Sequence, residues 1–184
     1  MRYKRHLPHW LPEGAVLHVS WRLAESWPAP KPEVLERKYS VSTGPSGPRW
    51  LADARIAQTV AGALHFGAEE RKLYELFAWV VMPNHVHILI EPYLELPAVM
   101  RWLKGRTARV ANRILGRTNQ PFWCEESYDH IIRSAEEFRN TAYYIEANPV
   151  RAGFVASPDD WRFSNAFDRP RKTTAGRTRG LNGC

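Results

Sequence analysis

Apolar and polar positions alternate along Val16-Leu-His-Val-Ser-Trp-Arg-Leu23, which predicts a first strand. Trp27-Pro-Ala-Pro-Lys-Pro32 breaks that pattern, and Ser42-Thr-Gly-Pro-Ser-Gly-Pro48 reads as a loop or mobile insertion. From Asp53 to Phe66 the residues Ile56, Val60, Ala63 and Leu64 recur at the helical period, with Asp53 placed to start the helix. Leu73 to Met82 is rich in β-branched and aromatic residues and predicts a strand. Pro83-Asn84 turns the chain, and His85 to Glu91 predicts an antiparallel partner. Leu96, Val99, Leu103, Val110 and Ile114 mark a second helix from Leu96 to about Leu115. Asp129 to Arg133 is a short strand candidate. Ser134 is a good N-cap with Glu136 and Glu137 behind it, so a third helix is expected to run to Asn148, where Pro149 stops it. The order β-α-β-β-α-β-α suits an α+β fold with helices packed on one face of an antiparallel sheet.

The length of 184 residues and the 44% hydrophobic and 24% charged fractions fit a soluble globular chain with room for a core. The expected organisation is one domain over 1–167, an insertion near 27–50, and a basic tail over 168–184 that lacks apolar periodicity and is expected to be disordered. Cys124 and Cys184 make neither a disulfide framework nor a metal pattern, and Cys124 reads as a small apolar filler. The apolar runs Phe77–Met82 and Val86–Ile90 are far short of the roughly 20 residues that span a bilayer. No apolar run follows the basic start as a signal peptide requires, so the expected location is cytoplasmic.

Charge adds a partner. With 26 Lys and Arg against 19 Asp and Glu, the formal net charge is +7 and the pI about 9.7, which favours nucleic acid first and an anionic membrane second. Six cations, Arg101, Lys104, Arg106, Arg109, Arg113 and Arg117, fall in the stretch 101–117, which holds no acid. That concentration favours a phosphate track over a merely solvated helix face and sets the membrane aside. Arg2, Lys4, Arg5 and the tail supply further candidate phosphate contacts.

Two groups of residues could carry chemistry. In His85-Val-His87 the strand period of two sends both imidazoles to one face, where they could share a divalent ion or simply sit as polar residues. Tyr144 and Asn148, four apart, stack on one side of the third helix, whose apolar stripe is Phe138, Ala142 and Ile145. Tyr144 then borders the core, as either a packed ring or a reactive group, while Tyr143 points about 100° away. His130 reads as a core or supporting histidine more readily than as a general base. Trp10, Trp50 and Trp102 could stack on unpaired bases, although core packing is the safer reading of each.

Taken together, Trp79-Val-Val-Met-Pro-Asn-His-Val-His-Ile-Leu89 and Tyr144-Ile-Glu-Ala-Asn-Pro-Val-Arg-Ala-Gly153 resemble the single-tyrosine HUH transposases of the IS200 type, above all the REP-associated tyrosine transposases. Leu7-Pro-His-Trp10, Leu103-Lys-Gly-Arg-Thr-Ala108, Phe122-Trp-Cys-Glu-Glu-Ser-Tyr-Asp-His130 and Asp160-Trp-Arg-Phe-Ser164 agree with that branch, so the resemblance covers roughly 6–167.

The resemblance implies a ferredoxin-like α+β fold, His85 and His87 as metal ligands and Tyr144 as the nucleophile. Asn148 stands where the wider group has glutamine to complete the metal site. The implied cofactor is Mg²⁺ or Mn²⁺, and the implied substrate is single-stranded DNA carrying a hairpin of palindromic repeats. Cleavage and rejoining would pass through a 5′-phosphotyrosine bond, with the protein acting as a monomer or homodimer near the nucleoid. The alternative is a domesticated relative that binds hairpin DNA without chemistry. An RNA-binding reading of the same sheet lacks the aromatic pattern it requires.

Overall fold

The computed structural model describes residues 12, 14–25 and 47–167. Arg2, Lys4, Arg5, Trp10, nearly all of the expected insertion near 27–50 and the tail 168–184 lie outside the described residues. Strands β1 (Leu17–Arg22), β2 (Tyr74–Val81), β3 (His85–Pro92) and β4 (Tyr128–Ile131) form one antiparallel sheet in the order β2-β3-β1-β4. The hairpin expected at Pro83-Asn84 joins β2 to β3, with Val81 opposite Val86 and the Met82 N–H donating to the His85 carbonyl at 2.8 Å. Helices α1 (Ala54–Glu69) and α2 (Leu96–Ile114) follow β1 and β3 in the chain, and α3 (Ala135–Glu146) follows β4.

The α+β class with an antiparallel sheet holds as expected, but the helices do not all lie on one face. Leu17, Val19, Trp21, Trp79, Val81, Val86, Ile88 and Ile90 share a core with Ile56, Val60 and Leu64 of α1 and Val99, Met100 and Leu103 of α2. Ala78, Val80, Met82 and Leu89 form a second, smaller core with Ile145 of α3. The physical reason is legible in β2 and β3. Trp79-Val-Val-Met82 and Ile88-Leu-Ile90 are apolar at consecutive positions, so both faces need cover. Two helices cannot reach the second face, and the Phe138, Ala142 and Ile145 stripe of α3 takes it.

Local chemistry fixes the helix ends. The Asp53 carboxylate accepts the Arg55 N–H at 2.9 Å and caps α1, and the Ser134 hydroxyl accepts the Glu137 N–H at 3.1 Å and caps α3. Pro149 does not end the helical run as expected. A further short helix, α4 (Asn148–Arg151), carries Pro149 in its first turn, where a missing N–H is harmless. Beyond α4, the segment holding Asp160-Trp-Arg-Phe-Ser164 lies along the free edge of β2. Its Phe163 carbonyl accepts the Val81 N–H at 2.8 Å, and the Trp161 indole donates to the Val81 carbonyl at 3.0 Å.

Gly67 sets how closely α1 approaches β2 and α2. A methyl group at this position would lie 2.5 Å from the Tyr74 hydroxyl and 3.1 Å from the Trp102 ring. That hydroxyl is buried and donates to the Leu64 carbonyl at 2.9 Å, so it cannot swing aside without losing its partner. Gly67→Ala is therefore expected to lower the unfolding free energy by about 1–3 kcal/mol through overpacking, read from urea unfolding monitored by tryptophan fluorescence.

Candidate active site

Period-two alternation in β3 sends Val86, Ile88 and Ile90 into the larger core and His85, His87 and Leu89 to the opposite face, under α3. The His85 and His87 rings meet edge to face with centroids 4.9 Å apart, both almost wholly buried. Tyr144, half-buried on α3, presents its ring edge-on to His87 at 5.7 Å. The structure thus brings together His85, His87 and Tyr144, with Asn148 beside His85 at the start of α4. Tyr143 points outward, 70% exposed.

A third imidazole joins them. His18 of β1, also buried, lies 3.1 Å from His87 Nδ1 through its Nε2, with the rings stacked at 5.2 Å, and meets Tyr144 edge-on at 6.1 Å. Its position on the polar side of the β1 alternation was the available signal, since Leu17, Val19 and Trp21 take the other side. Arg151, seven residues after Tyr144, holds its guanidinium 4.9 Å from the centre of the Tyr144 ring. Two helical turns of spacing in a motif already singled out marked it. His130 pairs with Glu137 at 2.7 Å, and this bond above all holds the Glu137 carboxyl below its ordinary pKa.

Burial keeps the imidazoles neutral. It lowers His85 to about 4, opposed in part by Asn148, and lowers His18 to about 4, with His130 adding to the effect. It takes His87 well below 6.5, helped by His85 and His18. His85 Nδ1 is 2.6 Å from the Asn84 side-chain oxygen, while the Nε2 atoms of His85 and His87 are buried without a hydrogen-bond partner. Two buried, neutral imidazoles, each with an Nε2 that has no hydrogen-bond partner, are of the donor type a divalent ion takes, so the residues fit one. No three His, Cys, Asp or Glu side chains converge to hold an ion among the described residues. A third protein donor among them would be of another kind, and Asn148 is the amide that lies beside His85. Alongside lies a groove of about 480 Å³, lined by Ser134, Asn140, Thr141, Tyr144 and Arg151 among others.

The cations of α2 are elsewhere. Leu103 and Val99 pack α2 into the larger core, so the sheet stands between this helix and the histidine face. Arg101, Arg106 and Arg109 line a separate groove of about 700 Å³ between α1 and α2, with Trp102 and Phe66 stacked on each other in its wall. Arg113 is exposed on the same helix. The Lys104 ammonium donates to the carbonyls of Cys124, Glu125 and Glu126 at 2.9–3.1 Å and so pins a loop. Arg117 covers the Trp50 ring at 4.1 Å and reaches Glu25 at 3.2 Å, and Trp50 itself stacks on Phe122. Cys124 is only half-buried, its thiol donating to the Leu23 carbonyl at 3.1 Å. No helix among the described residues is long and apolar enough to cross a membrane.

The sequence profile of the family described as Transposase IS200 like matches residues 50–148. Over 92 residues the chain is 33% identical to the REP-associated tyrosine transposase of Escherichia coli (strain K12), covering 50% of this chain and 53% of that protein. A relative with the same kind of name from Haemophilus influenzae is 25% identical over 103 residues, covering 50% of this chain and 58% of that protein. The chain thus spans little more than half the length of the curated relatives it matches. In three dimensions it is similar to a REP-associated tyrosine transposase solved bound to a REP hairpin, with a TM-score of 0.60 at 20% identity, over 91% of this chain and 84% of that one.

The three buried imidazoles tie stability to pH. Each stays neutral in the folded protein far below 6.5, whereas the unfolded chain takes up protons as pH falls through that value. The unfolded state then binds more protons, so stability is full above about pH 6.5 and declines toward pH 4. Metal-free protein is expected to lose about 1–2 kcal/mol per imidazole between pH 7 and pH 5, measured by urea unfolding. His85→Phe should show a visibly smaller loss.

Proposed function

Because the chain belongs to the IS200-like transposase family, we propose that it is a metal-dependent enzyme that cuts and rejoins single-stranded DNA beside a hairpin of palindromic repeats. The observation that carries this reading is the meeting of the Tyr144 ring, 5.7 Å from His87, with two buried imidazoles whose Nε2 atoms have no partner. In the cutting step the Tyr144 oxygen attacks the phosphorus. The bond from phosphorus to the 3′ oxygen breaks, and that oxygen leaves as a hydroxyl, taking the equivalent of the phenol's proton. The 5′ end stays on Tyr144 as a phosphotyrosine. One ester replaces another, so a later attack by a 3′-hydroxyl rejoins DNA and frees the tyrosine without an outside energy source.

His85, His87 and Asn148 would hold Mg²⁺ or Mn²⁺, which when bound draws charge from the non-bridging oxygens of the scissile phosphate. The chain supplies the rest. Burial keeps both imidazoles neutral, and α3 holds the phenol ring against them. Arg151, over the tyrosine ring, would balance the negative charge of the phosphate that Tyr144 attacks. The groove beside Tyr144 would take the unpaired strand through Ser134, Asn140 and Thr141.

A hairpin as substrate is supported by the REP hairpin bound to the structural relative. Arg101, Arg106, Arg109 and Arg113 would contact phosphates of the same DNA on the α2 side, joined by Arg2, Lys4 and Arg5 and, more weakly, by Arg117. Lys104 contributes least, since three backbone carbonyls already engage it.

Incubation with end-labelled hairpin DNA and Mn²⁺ is expected to give a covalent protein–DNA band that Tyr144→Phe abolishes and Tyr143→Phe keeps. A band that survives Tyr144→Phe and vanishes in Tyr143→Phe or Tyr128→Phe would reassign the nucleophile. Hairpin binding with no covalent species under any divalent ion would leave a non-catalytic DNA-binding protein. Replacing Arg101, Arg106 and Arg109 together by Ala is expected to weaken binding for every sequence alike. The slope of log affinity against log salt should become shallower by about 2–3, measured by fluorescence anisotropy.

A further inference from the structure

We infer that His18 is the positioning residue of the site: its Nε2 accepts the Nδ1 proton of His87 and so holds His87 in the tautomer whose Nε2 is bare. The inference rests on the proposed reading of His85 and His87 as the ion-holding pair and names what sets one of them. The two nitrogens are 3.1 Å apart, and both rings are buried, so no bulk water competes for the bond. On the sheet, His18 stands opposite Leu89, two pairs along from the Ser20–His87 pair, so the two side chains are diagonal neighbours on one face.

One proton lies between two neutral imidazoles, and it can belong to either. If His18 donated, His87 would carry its own proton on Nε2 and would have no lone pair to offer there. If His87 donates, its Nε2 is a bare lone pair, which an ion can use. His85 supplies an independent parallel. Its Nδ1 faces the Asn84 side-chain oxygen at 2.6 Å, an acceptor that fixes its proton on Nδ1 and leaves Nε2 bare as well. Asn84 for His85 and His18 for His87 are thus matched partners behind the pair, and such partners normally fix both the tautomer and the ring orientation of a metal-binding histidine. His18 also touches the Tyr144 ring, at 6.1 Å between centroids, so one side chain braces both the ion-holding imidazole and the nucleophile.

The ring-nitrogen NMR spectrum of ¹⁵N-labelled, metal-free protein reads the tautomer directly. A protonated Nδ1 and bare Nε2 on His87 are expected; a proton on Nε2 would overturn the inference. His18→Phe keeps a stacked, apolar ring and removes the acceptor, whereas His18→Gln returns an acceptor near the same point. Mn²⁺ affinity, followed by electron paramagnetic resonance, is expected to fall about 10–100-fold in His18→Phe and to recover most of that loss in His18→Gln. An affinity within twofold of wild type in His18→Phe, or equal losses in both variants, would also overturn it. If His18→Phe does not fold, the wild-type spectrum and the His18→Gln affinity decide the matter between them. Failure of the wild-type protein to take up Mn²⁺ would strike the proposed function, while the tautomer is still decided by the metal-free spectrum.

Discussion

Strand β3 imposes the constraint on which the rest depends. Paired on both sides, with β1 and β2, and covered on both faces, it has no freedom to shift. A slip of one residue would drive His85 and His87 into the larger core and expel Val86, Ile88 and Ile90 from it. The apolar half of the strand therefore fixes the register, and the register places the imidazoles. α3 then closes over them, because Ala78, Val80 and Leu89 on that face offer it a core of its own. The same packing that lowers the affinity of the imidazoles for protons leaves their nitrogens available to something else.

Much of this was legible in the chain. The hairpin at Pro83-Asn84, the shared face of His85 and His87, the outward turn of Tyr143 and the apolar stripe of α3 all follow from periods of two and 3.6. Which side of the sheet a helix takes does not follow from its own stripe. The stripe of α3 says only that it packs, and the doubly apolar β2 and β3 decide where. His18 was hidden because a single histidine in an alternating strand looks the same whether it faces solvent or a second core. Lys104 and Arg117 are engaged within the fold in a way that their spacing does not show. Charge counted along a helix cannot reveal that three loop carbonyls or a tryptophan ring already hold it. Pro149 shows that a helix breaker is also a helix starter, and the distinction lies in the chain that follows it.

Separating the α2 arginines from Tyr144 by the thickness of the sheet gives the DNA problem a geometry. A strand in contact with both Arg106 and Tyr144 has to pass round an edge of the sheet. That favours a partner with a bend or a junction between paired and unpaired segments over a straight single strand. On the proposed reading the two surfaces would perform separable tasks. One would hold phosphates of any sequence, and the other would select the single phosphate that reacts.

The segment along the β2 edge has a consequence for motion. Asn165 donates from its side chain to Glu146 at 2.5 Å and accepts the Trp79 N–H at 2.7 Å. Glu146 is two residues beyond Tyr144 on α3, so this one amide ties the helix of the tyrosine to the outer strand. Docking of the segment and restraint of the phenol are in that sense a single equilibrium. Whatever steadies the strand edge steadies the tyrosine, and a substrate that clamps the tyrosine tightens the edge by the same free energy.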